Sequence, residues 1–217
     1  MNFTTMFQIL MSGMGVTVSI FLLTLLFSIP LGLPLTLLRM SKNKILSVLA
    51  GAYISVMRGT PLMLQIIVIY FLPYYGFGIQ VTQGYRFIAV IIAFSLNYAA
   101  YFSEIYRSGI QSVPKGQYEA AQMLGYTRTQ TFLKIIMPQM FKRVLPAMTN
   151  EIITLVKDTS LSFAIATAEM FTMAKQIAAK EASLMPLMAA GVFYYIFNLI
   201  VAHVCKMVEK HYDYYRI

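Results

Sequence analysis

The sequence predicts an all-α integral membrane protein with five transmembrane helices. Composition is the first reason. Of 217 residues, 59% are hydrophobic and 12% charged, with a mean hydropathy of +0.68. Soluble domains carry about 45–50% apolar and about 25% charged residues. A soluble core would need a polar shell that this chain lacks the residues to build. Patterning is the second reason. The apolar residues fall into five long runs, each of at least the ~20 residues that cross a bilayer.

The runs follow in order. Residues 1–12 form an external N-terminal segment, and 14–38 the first span, with Pro30 and Pro34 as expected kinks. No charged side chain occurs in 1–38, so the basic start of a secretory signal is missing. RMSKNK (39–44) supplies the first charged loop. The second span, 45–75, is interrupted by MRGTP (57–61). A turn-rich stretch, 74–86, leads to the third span, 87–106. Residues 107–143 are too polar to cross. The fourth span, 144–168, carries charges; 169–184 reads as a loop; 184–208 is the fifth span; and 210–217 is a polar tail.

Charge sets the orientation. The net charge is +9, and twelve of the 17 Lys and Arg residues fall in the 39–44 loop, the 107–143 loop and the C-terminal end. Only Arg86, Lys175 and Lys180 lie on the opposite side, while Arg58 and Lys157 lie within spans. By the positive-inside rule the twelve-residue side is cytoplasmic, with the N-terminus outside. The basic balance is then met by anionic lipid. It is spread over three segments without the basic and aromatic interleaving of a nucleic-acid surface.

The 107–143 loop contains EAAQMLGYTRTQTFLKIIMPQ (119–139). At 100° per residue, Ala120, Met123 and Leu124 share one face of a helix, and Glu119, Gln122 and Tyr126 the other. Pro114 and Gly116 precede it, and Gly125 can end it in a left-handed conformation. Two turns are not stable alone in water. The helix is therefore either a connector lying on the membrane surface or a rod gripped by a partner.

Glu119, Ala120, Ala121, Gly125, Ile135 and Pro138, with Met137 where Leu is usual, resemble the cytoplasmic EAA loop of ABC importer permeases. RGTPLMLQ (58–65), NYAAYFSEIYRSGIQSVPKGQ (97–117), LPAMTNE (145–151) and LVKDTSLS (155–162) resemble the polar amino acid uptake branch of that superfamily. The resemblance implies a type I ABC importer permease domain over 13–209, in a bacterial cytoplasmic membrane. It implies a coupling helix in which Glu119, Ala120, Ala121, Met123, Leu124 and Gly125 dock onto a separate ATPase. The implied partners are two ATPase copies holding ATP and Mg, a second permease half (the same chain or a homologue), an external substrate-binding protein, and an amino acid as cargo. This chain holds no G-x-x-x-x-G-K-[ST] phosphate loop, so no cofactor is expected in it, and the resemblance implies a transporter subunit rather than an enzyme.

Ionisable residues within spans are functional candidates. Glu151 and Asp158 are seven apart on one face, about 10.5 Å along a helix axis, and Ser162 continues that face. Asn97 comes from the third span, and Arg58 and Gln65 from the second. One reading is a polar cavity lined by Asn97, Glu151, Asp158 and Ser162, in which the acids hold an ammonium or a cationic side chain. The other is internal pairing: Asp158 with Lys157 of a neighbouring helix, Glu104 with Arg107, and Arg58 with a carbonyl or an acid. No zinc-type His pair is present; the lone Cys205 and His203 read as packing residues. An ion-coupled carrier or channel using the same acids, and a membrane-embedded hydrolase using Glu151 and Asp158, are the alternatives. Neither needs a docking helix.

Overall fold

A computed structural model describes residues 2–82 and 84–212. Among them the elements are helical: α1 (Phe3–Arg39), α2 (Lys44–Gly59), α3 (Leu62–Phe77), α4 (Tyr85–Ser112), α5 (Lys115–Met123), α6 (Arg128–Thr131), α7 (Met137–Asp158), α8 (Met170–Glu181) and α9 (Met185–Tyr212). A π turn, Phe132–Ile136, joins α6 to α7, and a 3₁₀ helix, Thr159–Ile165, extends α7.

Three of these helices, α1, α4 and α9, are long and apolar enough to cross a membrane, and the α2–α3 pair makes a fourth candidate. The expected second span is not one rod: α2 and α3 meet at 111°. Pro61 explains the break. It lacks an N–H and drives the preceding residue out of the helical region, and Thr60 is extended at φ −119°, ψ 149°. The expected fourth span follows α7 and its 3₁₀ extension. With Lys142, Arg143, Glu151, Lys157 and Asp158 it is more charged than the other candidate spans.

The expected external segment is continuous with the first span. At 1.5 Å per residue α1 is about 55 Å long, against a hydrocarbon core of about 30 Å. Its surplus N-terminal turns have their own small core, where Met6 and Leu10 pack with Met170, Ala174, Ile177 and Ala190. The segment 169–184, expected as a loop, holds α8. Glu169 starts that helix by accepting from the backbone N–H groups of Phe171 and Thr172.

The main core is built around α4, which packs on α1, α2, α3 and α7. Of its most apolar stretch 67% is buried, against 11% for α9, so α4 is central and α9 peripheral. Phe94, Tyr98, Phe102 and Tyr106 stand at i,i+4 spacing with successive centroids 6.3–6.4 Å apart. Helix α7 lies against α4 at Gly109, where a Cβ would meet Val144 Cγ1 at 2.2 Å. Arg143 ties the same two helices by donating to the Ser112 carbonyl and, at 3.2 Å, to its hydroxyl.

Candidate functional site

Two features beyond ordinary packing stand out: a polar cavity among α2, α4 and α7, and the short helix α5.

The cavity measures about 490 Å³, and Arg58, Tyr101, Glu104, Arg107, Arg143 and Glu151 are in its wall. One side is a fixed ion cluster. Arg107 grips Glu104 with Nε to Oε1 at 3.1 Å and Nη2 to Oε2 at 2.6 Å, while its Nη1 donates to Gln111 at 3.0 Å. This is the two-pronged geometry that suits guanidinium and carboxylate. Arg58 comes within 3.9 Å of the same carboxylate and lies over the Tyr101 ring at 5.2 Å. The other side is Glu151. Among the described residues no hydrogen bond holds its carboxylate. An acid without a hydrogen-bond partner therefore shares a cavity wall with an arginine whose ion pair is long.

The four residues expected to line one cavity have different bonding partners. Glu151 is in its wall. Asp158 accepts from the Tyr98 hydroxyl at 2.8 Å rather than pairing with Lys157, which is exposed. Asn97, 4% exposed, donates to the Met57 carbonyl at 2.9 Å and to Gln65 Oε1 at 3.0 Å. Ser162 is fully buried and donates to the Thr159 carbonyl at 2.8 Å. The alternative pairings of Glu104 with Arg107 and of Arg58 with an acid are present.

Helix α5 is held at its base. Ala121 is 1% exposed, and Tyr118 packs on the main core, where burial pushes its phenol up. Gln139 of α7 donates to Gln117 at 3.3 Å. Gly125 has φ +76° and ends the helix as expected. The amide N–H groups of Gly125 and Tyr126 close the turn on the Gln122 and Ala121 carbonyls, both at 3.0 Å. A capping box at Thr127 and Gln130 then starts α6. Pro138 has no N–H for the carbonyl one turn back, and the π turn immediately before it absorbs that mismatch. The predicted face of α5 points away from the chain: Ala120 is exposed, Met123 is 89% exposed and Leu124 75%.

Glu169 was not anticipated. Its carboxylate is fully buried and accepts from Phe171 N at 2.7 Å, Thr172 N at 2.6 Å, Thr172 Oγ1 at 2.8 Å and Tyr194 OH at 2.9 Å, with Thr17 Oγ1 at 3.5 Å. Burial pushes this carboxyl up, against the donors that pull it down. An acid just before an amphipathic run is the helix-start signal that could have revealed it.

Residues 28–214 match the family model described as binding-protein-dependent transport system inner membrane component. The L-cystine transport system permease protein TcyB of Bacillus subtilis (strain 168) is 37% identical over 209 residues, covering 95% of this chain and 88% of that one. The arginine transport system permease protein ArtQ of the same organism is 38% identical over 202 residues, covering 93% and 91%. Among solved structures, a chain from the crystal structure of an amino acid ABC transporter with histidines superposes at a TM-score of 0.85 with 31% identity, over 97% of this chain and 99% of that one. These relatives are transport permeases, not enzymes.

Proposed function

Because this chain belongs to the family of binding-protein-dependent transport system inner membrane components, we propose that it is the permease subunit of an ATP-driven importer of polar amino acids. It is a multi-pass protein of the bacterial cytoplasmic membrane, with five spans formed by α1, the α2–α3 pair, α4, α7 and α9. The N-terminus is outside and the C-terminus inside, as the distribution of Lys and Arg requires. It works with two ATPase subunits that hold ATP and Mg, a second permease half and an external substrate-binding protein.

Helix α5 is the coupling helix. The observation that carries this reading is its outward apolar face: Met123 and Leu124 are the most exposed large hydrophobic side chains of α5 and the turn after it, on a helix too short to persist without support. An ATPase groove would cover Ala120, Met123 and Leu124, with Glu119 at the rim. The α5–α6–α7 path, braced by Ala121, Gln117 and the Schellman turn at Gly125, would carry the movement into the bundle. Alternating access follows if the two permease halves rock about the cavity between α4 and α7.

Glu151 is the acid placed for an ammonium or a cationic side chain, and Arg58 supplies the opposite charge for a carboxylate. An amino acid carries both groups. Asp158 lies farther along α7, tied to Tyr98. Ser162 and Asn97 spend the bonds just described on the frame of the site.

The test is uptake of labelled arginine, glutamine and cystine by cells expressing this chain with its cognate ATPase. Uptake that stops with ATP depletion and survives collapse of the proton gradient is the expected result. Uptake driven by the gradient and indifferent to ATP would overturn the reading.

A further inference from the structure

The break between α2 and α3 lies beside the cavity. A helix end leaves carbonyls without partners, and in a membrane each unsatisfied backbone group costs several kcal/mol. At this break, two side-chain amides take over those carbonyls. Gln65 Nε2 donates to Met57 O at 2.9 Å, Thr60 O at 3.2 Å and Thr60 Oγ1 at 2.8 Å. Asn97 Nδ2, from α4, donates to the same Met57 carbonyl at 2.9 Å and to Gln65 Oε1 at 3.0 Å. Thr60 Oγ1 in turn donates to Val56 O at 2.8 Å. The two amides fix each other's orientation and join both halves of the broken helix to α4. Both are buried, at 9% and 4% exposure.

The residue after Met57 is Arg58. One turn after Asn97 on α4 is Tyr101, the ring over which Arg58 lies. The clamp therefore fixes the backbone next to Arg58 and the α4 turn that leads to Tyr101, on either side of a guanidinium that shares the cavity with Glu151. We propose that Asn97 and Gln65 are positioning residues: they clamp the helix break so that Arg58 is held in the cavity with Glu151, and neither touches the transported amino acid. This rests on the reading of the cavity as the amino acid path.

The identity of the atoms involved gives the test. Asn97 and Gln65 act on the carbonyls as donors, so Asn97→Asp and Gln65→Glu remove the clamp at constant shape. A ligand to a substrate ammonium would work through its oxygen, and Asn97→Asp would then strengthen it. Uptake kinetics with labelled arginine and glutamine separate the two. A clamp predicts that both variants raise KM for both amino acids by a similar factor, at least about fivefold. It also predicts that Asn97→Ala with Gln65→Ala is no worse for uptake than either alanine variant alone, as for residues acting as a unit. A lower KM for arginine alone with Asn97→Asp, or wild-type kinetics for both variants, overturns the proposal.

A second measurement does not depend on transport. Spin labels at Val56→Cys and Leu64→Cys, in a Cys205→Ala background, flank the break on exposed positions. In the solubilised transporter their distance distribution broadens when Asn97→Ala or Gln65→Ala is added. An unchanged distribution overturns the clamp even where a variant transports nothing. Failure of the intact protein to take up amino acids would sink the transport reading and leave this distance measurement to decide the clamp.

Discussion

Helices α5 and α8 are both short, 9 and 12 residues, and each lies between longer helices. Their surroundings differ. Helix α8 is completed by its own chain: Met170 and Ala174 are fully buried, Glu169 gathers donors from α1, α8 and α9, and α1 approaches so closely at Gly13 that a Cβ would meet Met170 Cα at 2.8 Å. Helix α5 buries Ala121 and turns Met123 and Leu124 outward. Neither would be stable alone. A helix finished internally is a strut, and one left half-covered is where the proposed ATPase would dock.

That contrast can be broken from either side. The largest effect is expected at the α5 face. Ala120→Trp adds a large ring to an exposed position that needs close approach, and Gly125→Val forces a β-branched residue into φ +76° at the helix end. Each should cut ATP-dependent uptake at least about tenfold, a loss of ~1.4 kcal/mol or more in coupling, while the inserted Ala120→Trp protein melts normally. Normal uptake by both variants would falsify the docking model.

The next largest effects belong to α8. Gly13→Val should destabilise the protein by about 1–3 kcal/mol through overpacking against Met170, read as a lower melting temperature in detergent. Glu169→Ala strands buried donors and should cost about 2–3 kcal/mol in the same measurement. If either variant melted like the wild type, α8 would not be the strut described.

Smaller again is Met123→Ser with Leu124→Ser. These exposed positions should change stability by no more than about 0.5 kcal/mol, yet reduce co-purification with the ATPase. A drop in melting temperature for the isolated chain would mean that the face already packs internally. The smallest and most selective effect is expected from Glu151→Gln. Removing one charge from the cavity should raise KM for arginine severalfold while leaving glutamine within about twofold, about 0.4 kcal/mol. Unchanged kinetics for both would take Glu151 out of the site.

What the sequence revealed followed the reach of each interaction along the chain. The outward face of α5, its end at Gly125 and the interruption at 57–61 were legible because each depends on neighbours a few residues away. The sharp bend between α2 and α3 was not foreseen, because a span of the right length hides a corner. Helix α8, expected as a loop, is anchored from afar: Glu169 finds Thr17 at a separation of 152 residues and Tyr194 at 25. Glu151 was legible as a charge in a span. Asn97 is legible only as a polar side chain in a span, and its bond to a carbonyl 40 residues away leaves no mark in residue type or spacing.

The sharpest test compares α5 and α8 in one experiment. In a Cys205→Ala background, Met123→Cys and Gln176→Cys place single thiols on exposed positions of the two helices. Each is reacted with a membrane-impermeant maleimide in detergent, once in the isolated chain and once assembled with the ATPase. The thiol at 123 should react freely in the isolated chain and be shielded at least about tenfold in the assembly, while the thiol at 176 reacts equally in both. A thiol at 123 that stays reactive in the assembly, or is already shielded in the isolated chain, contradicts α5 as the motor's point of grip.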